Sequence, residues 1–205
     1  MPDASLSIDG TTVISKTSGN ISIDNFNSLS GNLTGATFPA GHIIQMTTNT
    51  MDTVFTITDE STMQEILSGT ITPNFNTSKI IINMTVHLWH TNYYTGKVCI
   101  FRDTTRIGIG TDTTNTFGGS QGAFGIGIRP GQWTEATSGS GRSWSCNPYG
   151  LTYIDTPGTS GSPITYYLKG TAGNDASYPL YVNRGSDVSD SPRPVSTITL
   201  LEVMS

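Results

Sequence analysis

Between Lys79 and Trp89 every even position is apolar: Ile80, Ile82, Met84, Val86 and Leu88. An apolar residue at every second position predicts a strand with one wholly apolar face. Shorter stretches with strand signal occupy residues 43–48, 53–58, 65–72, 97–102, 105–109, 124–128, 144–146, 151–154, 164–169, 180–183 and 197–203. Turn formers separate them at Arg102-Asp103-Thr104-Thr105, Pro130-Gly131, Asn147-Pro148, Pro157-Gly158 and Asn183-Arg184-Gly185. Many short strands at spacings of roughly 8–12 residues predict a sandwich or a barrel. Residues 59–67 fit two readings: a short helix capped by Asp59 or Ser61, or a strand. Read as a strand, 65–72 puts Leu67 and Ile71 on one side and Ile66 on the other.

The first 42 residues have a different texture. Their apolar residues come in thin pieces: Leu6 and Ile8, Val13 and Ile14, Ile21 and Ile23, Phe26, Leu29, Leu33 and Phe38. Glycine turns interrupt them at Asp9-Gly10, Ser18-Gly19-Asn20, Ser30-Gly31-Asn32 and Thr34-Gly35. Such pieces are too short to bury a core of their own. The segment is therefore either disordered or borrows a partner surface, and short strands at 11–15 and 20–23 favour borrowing. Phe38-Pro39-Ala40-Gly41 forms a sharp junction, since Pro fixes its φ and Gly permits a positive one. This predicts an extended N-terminal segment over 1–42 and a β-sandwich head over 43–205.

Composition strengthens the all-β reading. Ser and Thr number 23 and 33 in a chain of 205, while Ala, Lys and Glu, which favour helices, number 7, 4 and 4. A helical bundle or a doubly wound α/β enzyme needs many more helix formers. The formal net charge is −5, and the ten Lys and Arg residues are scattered. Phosphate neutralisation needs clustered cations, so nucleic acid is not an expected partner. No apolar run approaches the ~20 residues of a membrane span, and no secretory signal is recognisable. Cys99 and Cys146 are neither paired nor excluded from pairing by their spacing; without a secretory signal the expectation is free thiols, with Cys99 a small core residue.

Little catalytic chemistry stands out. His87 and His90 form an H-x-x-H, but residues three apart on a strand point to opposite faces, so no metal site is expected. Most of the 11 Asp residues occupy turns; Glu135 and Asp155 are the least turn-like carboxylates. No nucleophile motif appears, and the glycines of 118–127 lack the Lys and the helix of a phosphate loop. The chain therefore reads as a non-enzyme without cofactors. Aromatic residues are the better candidates. Trp89, Tyr93 and Tyr94 lie at and beyond the end of the strongest strand; Trp133, Trp144 and Tyr149 sit in a Gly/Ser-rich region. Tyr and Trp combine an apolar face with a hydrogen-bonding group, which suits sugar or protein contact as well as packing.

Several pieces, taken in order, resemble a group of bacteriophage virion proteins, the tail-fibre-like structural proteins of marine and freshwater phages including cyanophages. The pieces are Phe38-Pro39-Ala40-Gly41-His42-Ile43-Ile44-Gln45, the stretch from Ile71-Thr72-Pro73 to Ser78-Lys79-Ile80, and Phe101-Arg102-Asp103-Thr104-Thr105-Arg106-Ile107-Gly108. Ile154-Asp155-Thr156-Pro157, Ile164-Thr165-Tyr166-Tyr167-Leu168-Lys169, Tyr181-Val182-Asn183-Arg184 and Ser196-Thr197-Ile198-Thr199-Leu200-Leu201-Glu202-Val203 complete the set. The resemblance covers residues 38–205. Asp103-Thr104 departs from the family's Asp-Gly, so a different turn type is expected there. The resemblance implies a jelly-roll-like antiparallel β-sandwich head, homotrimeric, in a virion assembled in the host cytoplasm. It implies that the N-terminal segment, with Val13, Ile14, Ile21, Ile23 and Phe38, attaches to other virion proteins of the tail or capsid. The head would bind a host surface glycan or protein through Tyr93, Tyr94, Trp133 and Trp144. Capsid decoration is the alternative function, and a small polysaccharide-active enzyme a further one.

Overall fold

The computed structural model describes residues 39–89, 97–108, 146–172, 179–185 and 192–205, together with the backbone of His90 and of strands at 4–8, 11–17 and 20–23. The chain divides into two units, Met1–Phe38 and Pro39–Ser205. In the first, β1 (Ala4–Ile8), β2 (Thr11–Thr17) and β3 (Asn20–Ile23) form an antiparallel sheet in the order β1-β2-β3. Ile14 pairs Leu6 on one side and Ile23 on the other, and Ile21 pairs Lys16. Val13 lies beside Ile14 on β2, whereas Phe38 lies outside the described residues.

The second unit contains β4 (Ile43–Met51), β5 (Phe55–Ile57), β6 (Gln64–Ile71), β7 (Lys79–His90) and β8 (Lys97–Arg102). It continues with β9 (Thr105–Ile107), β10 (Asn147–Asp155), β11 (Ile164–Thr171), β12 (Leu180–Val182) and β13 (Ser196–Val203). Among the described residues there is no helix. One sheet runs β4-β13-β7-β12-β5, with β10 on the free edge of β7; the other runs β6-β11-β8-β9. β13 and β12 lie end to end along β7, and β4 and β5 lie end to end along them. Each sheet therefore has four lines of strand, and the chain crosses between sheets in the order of a jelly roll.

The period-two pattern of β7 survives folding intact. Ile80, Ile82, Met84, Val86 and Leu88 are all at most 2% exposed and meet Ile100, Tyr166 and Leu168 of the second sheet in one core. Gly170 marks the tightest approach: a Cβ there would lie 2.9 Å from Ile66 Cδ1 and 3.0 Å from the backbone oxygen of Lys97.

Two readings of the sequence are corrected, at Ile66 and at Asn147-Pro148, and one left open between helix and strand is decided. Residues 59–67 form a turn and then a strand, not a helix. Asp59 Oδ1 accepts the N–H groups of Ser61 and Thr62, both at 2.8 Å, which closes a turn and holds the Asp59 carboxyl below its ordinary range. From Gln64 the backbone bonds instead to β11. Ile66 does not point away from Leu67's side of the sheet. Leu168 faces Leu67 while Lys169 faces Glu65, so Ile66 is an unpaired bulge residue, and both it and Leu67 are 2% exposed. Asn147-Pro148 is no turn but the start of β10. Pro148 lacks a donor, which an edge strand tolerates. The strand read at 151–154 begins earlier, at Asn147; residues 144 and 145 and the strand read at 124–128 lie outside the described residues. At Asp103-Thr104 only Asp103 has positive φ, 52°. A type I′ turn needs positive φ at both central residues, so the substitution of the family's Gly goes with another turn type.

Two buried carboxylates close one end of the sandwich, here called the base. Glu202 accepts from Gln45 Nε2 (2.6 Å), Ser78 Oγ (2.7 Å), Asn74 N (2.8 Å), Asn74 Nδ2 (2.9 Å) and Phe75 N (3.2 Å). Burial alone would raise its pKa; the bonds from Ser78, Gln45 and Asn74 outweigh burial and hold the carboxyl below its ordinary range. Asp155, on the first sheet, takes three bonds from two residues of the second: Arg102 Nη1 at 3.0 and 3.2 Å, and Tyr166 OH at 2.7 Å. Burial and then this bond to Asp155 push the Tyr166 hydroxyl up, so it stays protonated and donates.

Glu202→Gln is expected to destabilise the protein by about 2–4 kcal/mol, because the replacement amide turns two donor groups' partner into a donor itself; urea unfolding measures this. The folded state lowers the Glu202 pKa, so its contribution is complete at neutral pH and declines as pH falls below the ordinary value of 4.5. Wild type is expected to lose Tm faster than the variant between about pH 5 and 3. Gly170→Ala is expected to cost about 1–3 kcal/mol, since the backbone oxygen of Lys97 cannot rotate away.

Candidate functional site

The strand pairings assign most connections to one of two ends; 52–54 and 183–195 instead interrupt lines of strand within the first sheet. The connections 72–78, 103–104 and 156–163 lie at the base. So does the point where the chain enters β4: Gly41 N bonds Met204 O at 2.7 Å and Met204 N bonds His42 O at 2.9 Å. The connections 58–63, 91–96 and 172–179 lie at the opposite, far end; the connection 108–146 leaves β9 at Ile107, which faces Ile100 in mid-strand, and rejoins the sheet at the far end. His90 faces Leu180, Leu180 faces Ile57, Asn147 faces Leu88, and Thr171 faces Lys97. Ala172 N bonds Asp59 O at 2.8 Å, tying two of these connections together.

Tyr93 and Tyr94 belong to the connection 91–96, and Trp133 and Trp144 to the connection 108–146. All four lie outside the described residues, as does Glu135. The strand ends at His90, Lys97 and Asn147, however, belong to one end of the sandwich, although they are far apart in sequence.

The described side chains near that end form an aromatic and cationic row. Trp89 pairs Tyr181, which pairs Thr56. The Trp89 and Tyr181 rings stand 5.4 Å apart at 50°. Arg184 Cζ lies 4.9 Å from the Tyr181 ring centre, and Arg184 Nη2 donates to Thr56 Oγ1 at 2.6 Å. Trp89 itself is 7% exposed, so it acts here as packing for Tyr181. Sequence reading singled out Trp89 but not Tyr181 or Arg184; the only signal was their place in the motif Tyr181-Val182-Asn183-Arg184.

Asn183 explains why that motif ends a strand. Its φ is 56°, a conformation Asn adopts more readily than most residues. Its amide nitrogen donates to Met51 O (2.8 Å) and Thr53 O (3.1 Å), and its oxygen accepts from Ser196 Oγ (2.5 Å). The same Ser196 hydroxyl accepts from His87 N, while Asn183 N donates to His87 O. Val182 faces Leu88 and Thr197 faces Thr85, so the fourteen residues from Asn183 to Ser196 stand against two of β7. The Asn183–Ser196 pair staples this excursion shut where it leaves and rejoins the sheet.

A second aromatic and cationic group lies on the outer face of the other sheet. Lys169 Nζ sits 4.5 Å from the Tyr167 ring centre and 5.0 Å from that of Phe101, and Arg106 lies 5.7 Å from Phe101. The rings are thus already covered by cations of the same face.

Asp155, one of the two carboxylates singled out for catalysis, is held at the base by Arg102 and Tyr166. Cys99 is buried and Cys146 half-buried, and neither forms a disulfide. Burial pushes the Cys146 thiol up to about 11, so it is not a thiolate nucleophile at neutral pH. Among the described residues no three His, Cys, Asp or Glu side chains gather as metal ligands.

Asn183→Ala is expected to cost about 2–4 kcal/mol: it strands the Ser196 hydroxyl and two carbonyls and puts a Cβ-bearing aliphatic residue at positive φ. Asn183→Gly, which removes the φ penalty alone, is expected to recover about 1 kcal/mol of that loss in urea unfolding. Comparison of the chain with protein-family models and with curated proteins found no match.

Proposed function

We propose that this protein is a phage virion fibre or spike component. On this reading it forms a homotrimer whose N-terminal segment attaches to the particle. Its jelly-roll head binds a host surface receptor, a glycan, without turnover and without a cofactor. The observation that supports the reading is the polarity of the head. The chain arrives at the base beside Met204; the connection holding Tyr93 and Tyr94 leaves from the far end, where the connection holding Trp133 and Trp144 rejoins the sheet. A head held at one end and read at the other suits an adhesive module. Aromatic side chains in those connections suit sugar faces, and several weak sites on a trimer act together.

Gold-labelled antibody to this chain on intact virions is expected to mark the tail. Label over the capsid would replace the fibre reading with capsid decoration. Fluorescently labelled protein is expected to stain host cells, and Tyr93→Ala with Trp133→Ala to weaken staining at least tenfold while Tm stays unchanged. Unchanged staining would remove these residues from the contact surface.

A further inference from the structure

The outward positions of the first sheet are unevenly composed. Met46 faces Leu201, Leu201 faces Ile81, and Ile81 faces Ile154, so one apolar row crosses all four lines of strand. The adjoining row towards the base pairs Ile43 with Val203 and Val203 with Lys79. Met46, Ile154 and Ile43 are 64%, 56% and 55% exposed, and they are three of the five strongly exposed large apolar residues among those described. Clustering on two adjacent rows separates them from the scattered exposed apolar residues of an ordinary surface.

We propose that this face, through Met46, Ile81, Ile154 and Leu201, packs against further copies of the chain; the inference rests on the homotrimer reading above. Three observations favour a second copy over a different partner. The apolar rows are nearly free of charge: their outward strand positions contain no carboxylate and one lysine, Lys79, at the rim, and the sheet's Arg184 lies away from them over Tyr181. Identical copies at net charge −5 meet there without stranding a buried ion, whereas a charged partner finds nothing to pair with. The next row is polar but satisfied within its own plane: Thr48 and Thr199 share a hydrogen bond at 3.3 Å, and Thr152 donates to Asn83 at 2.9 Å. Covering it leaves those groups paired. Finally, the chain enters β4 through Pro39–His42 at the same end as the apolar rows, pinned to Met204. Copies packed through this face start their N-terminal segments close together, as attachment to one point on a particle requires.

Light scattering on the full chain tests this. Wild type is expected at three chain masses. Met46→Lys with Ile154→Lys is expected at one chain mass with unchanged circular dichroism, because both positions are exposed in the single chain. The control Thr105→Lys, on the other sheet, keeps three chain masses. A double variant that stays trimeric overturns this face while leaving the trimer intact, and a monomeric wild type overturns both. Should the double variant misfold, thiol labelling decides. Met46→Cys is expected to react with a maleimide at least tenfold more slowly than Thr105→Cys, with wild type setting the background from Cys99 and Cys146. Equal rates overturn the proposal.

Discussion

A carboxylate inside a β-sandwich must be neutralised by hydrogen bonds or it unfolds the site, and the base of this head is organised around that constraint at Glu202. The residue sits in the last strand, between β4 and β7, and is fully buried. Its five donors come from β4 and from the connection between β6 and β7. That connection carries the chain from one sheet to the other, so the cage ties the crossover, the C-terminal strand and the first strand of the head together. Asp155 repeats the device from the opposite edge, bonded to Arg102 and Tyr166 of the second sheet. With its base closed by directional bonds, the sandwich leaves variation in length to the far end.

The excursion between β12 and β13 instead adds length in the middle of a line of strand. β7 offers one continuous template of twelve residues, and its partner line is interrupted without loss of register on either side of the break. Asn183 and Ser196 make this possible by bonding each other and the backbone of His87. An unpaired pair of strand ends in the middle of a sheet would expose donors and acceptors; here side chains replace the missing ladder bonds. The same junction brings Arg184 over Tyr181.

The motifs that resemble phage virion proteins map chiefly onto these closures. Gln45, Asn74, Ser78 and Glu202 form one cage; Arg102, Asp155 and Tyr166 form the other; Asp103 accepts Thr165 N at 3.0 Å; Asn183 holds the excursion. What the motifs encode is therefore a way of closing a jelly roll. The proposed receptor contacts lie outside these motifs, in the connections 91–96 and 108–146, and this is why fold is readable from the motifs and ligand is not.

Local pattern was enough for much of the fold. Period-two alternation in β7, the scarcity of helix formers and the glycine-rich punctuation together required antiparallel strands packed in layers, because backbone pleating alone puts alternate residues on one face. Pairing across the sheets decided the rest. Residues 59–67 became turn and strand because β11 takes up their backbone bonds. Asn147-Pro148 became strand because only one edge of β10 is paired, and Ile66 turned inward because of a bulge in its register. Asp155 and Glu202 proved buried for reasons no local stretch contains, for their donors lie 53 and 157 residues away at the widest in each set. Met46, Ile81, Ile154 and Leu201 are unremarkable one by one along the chain. They form a row only because the register of three non-local strand pairs sets them side by side, and such register is a property of the folded sheet that no local stretch of sequence contains.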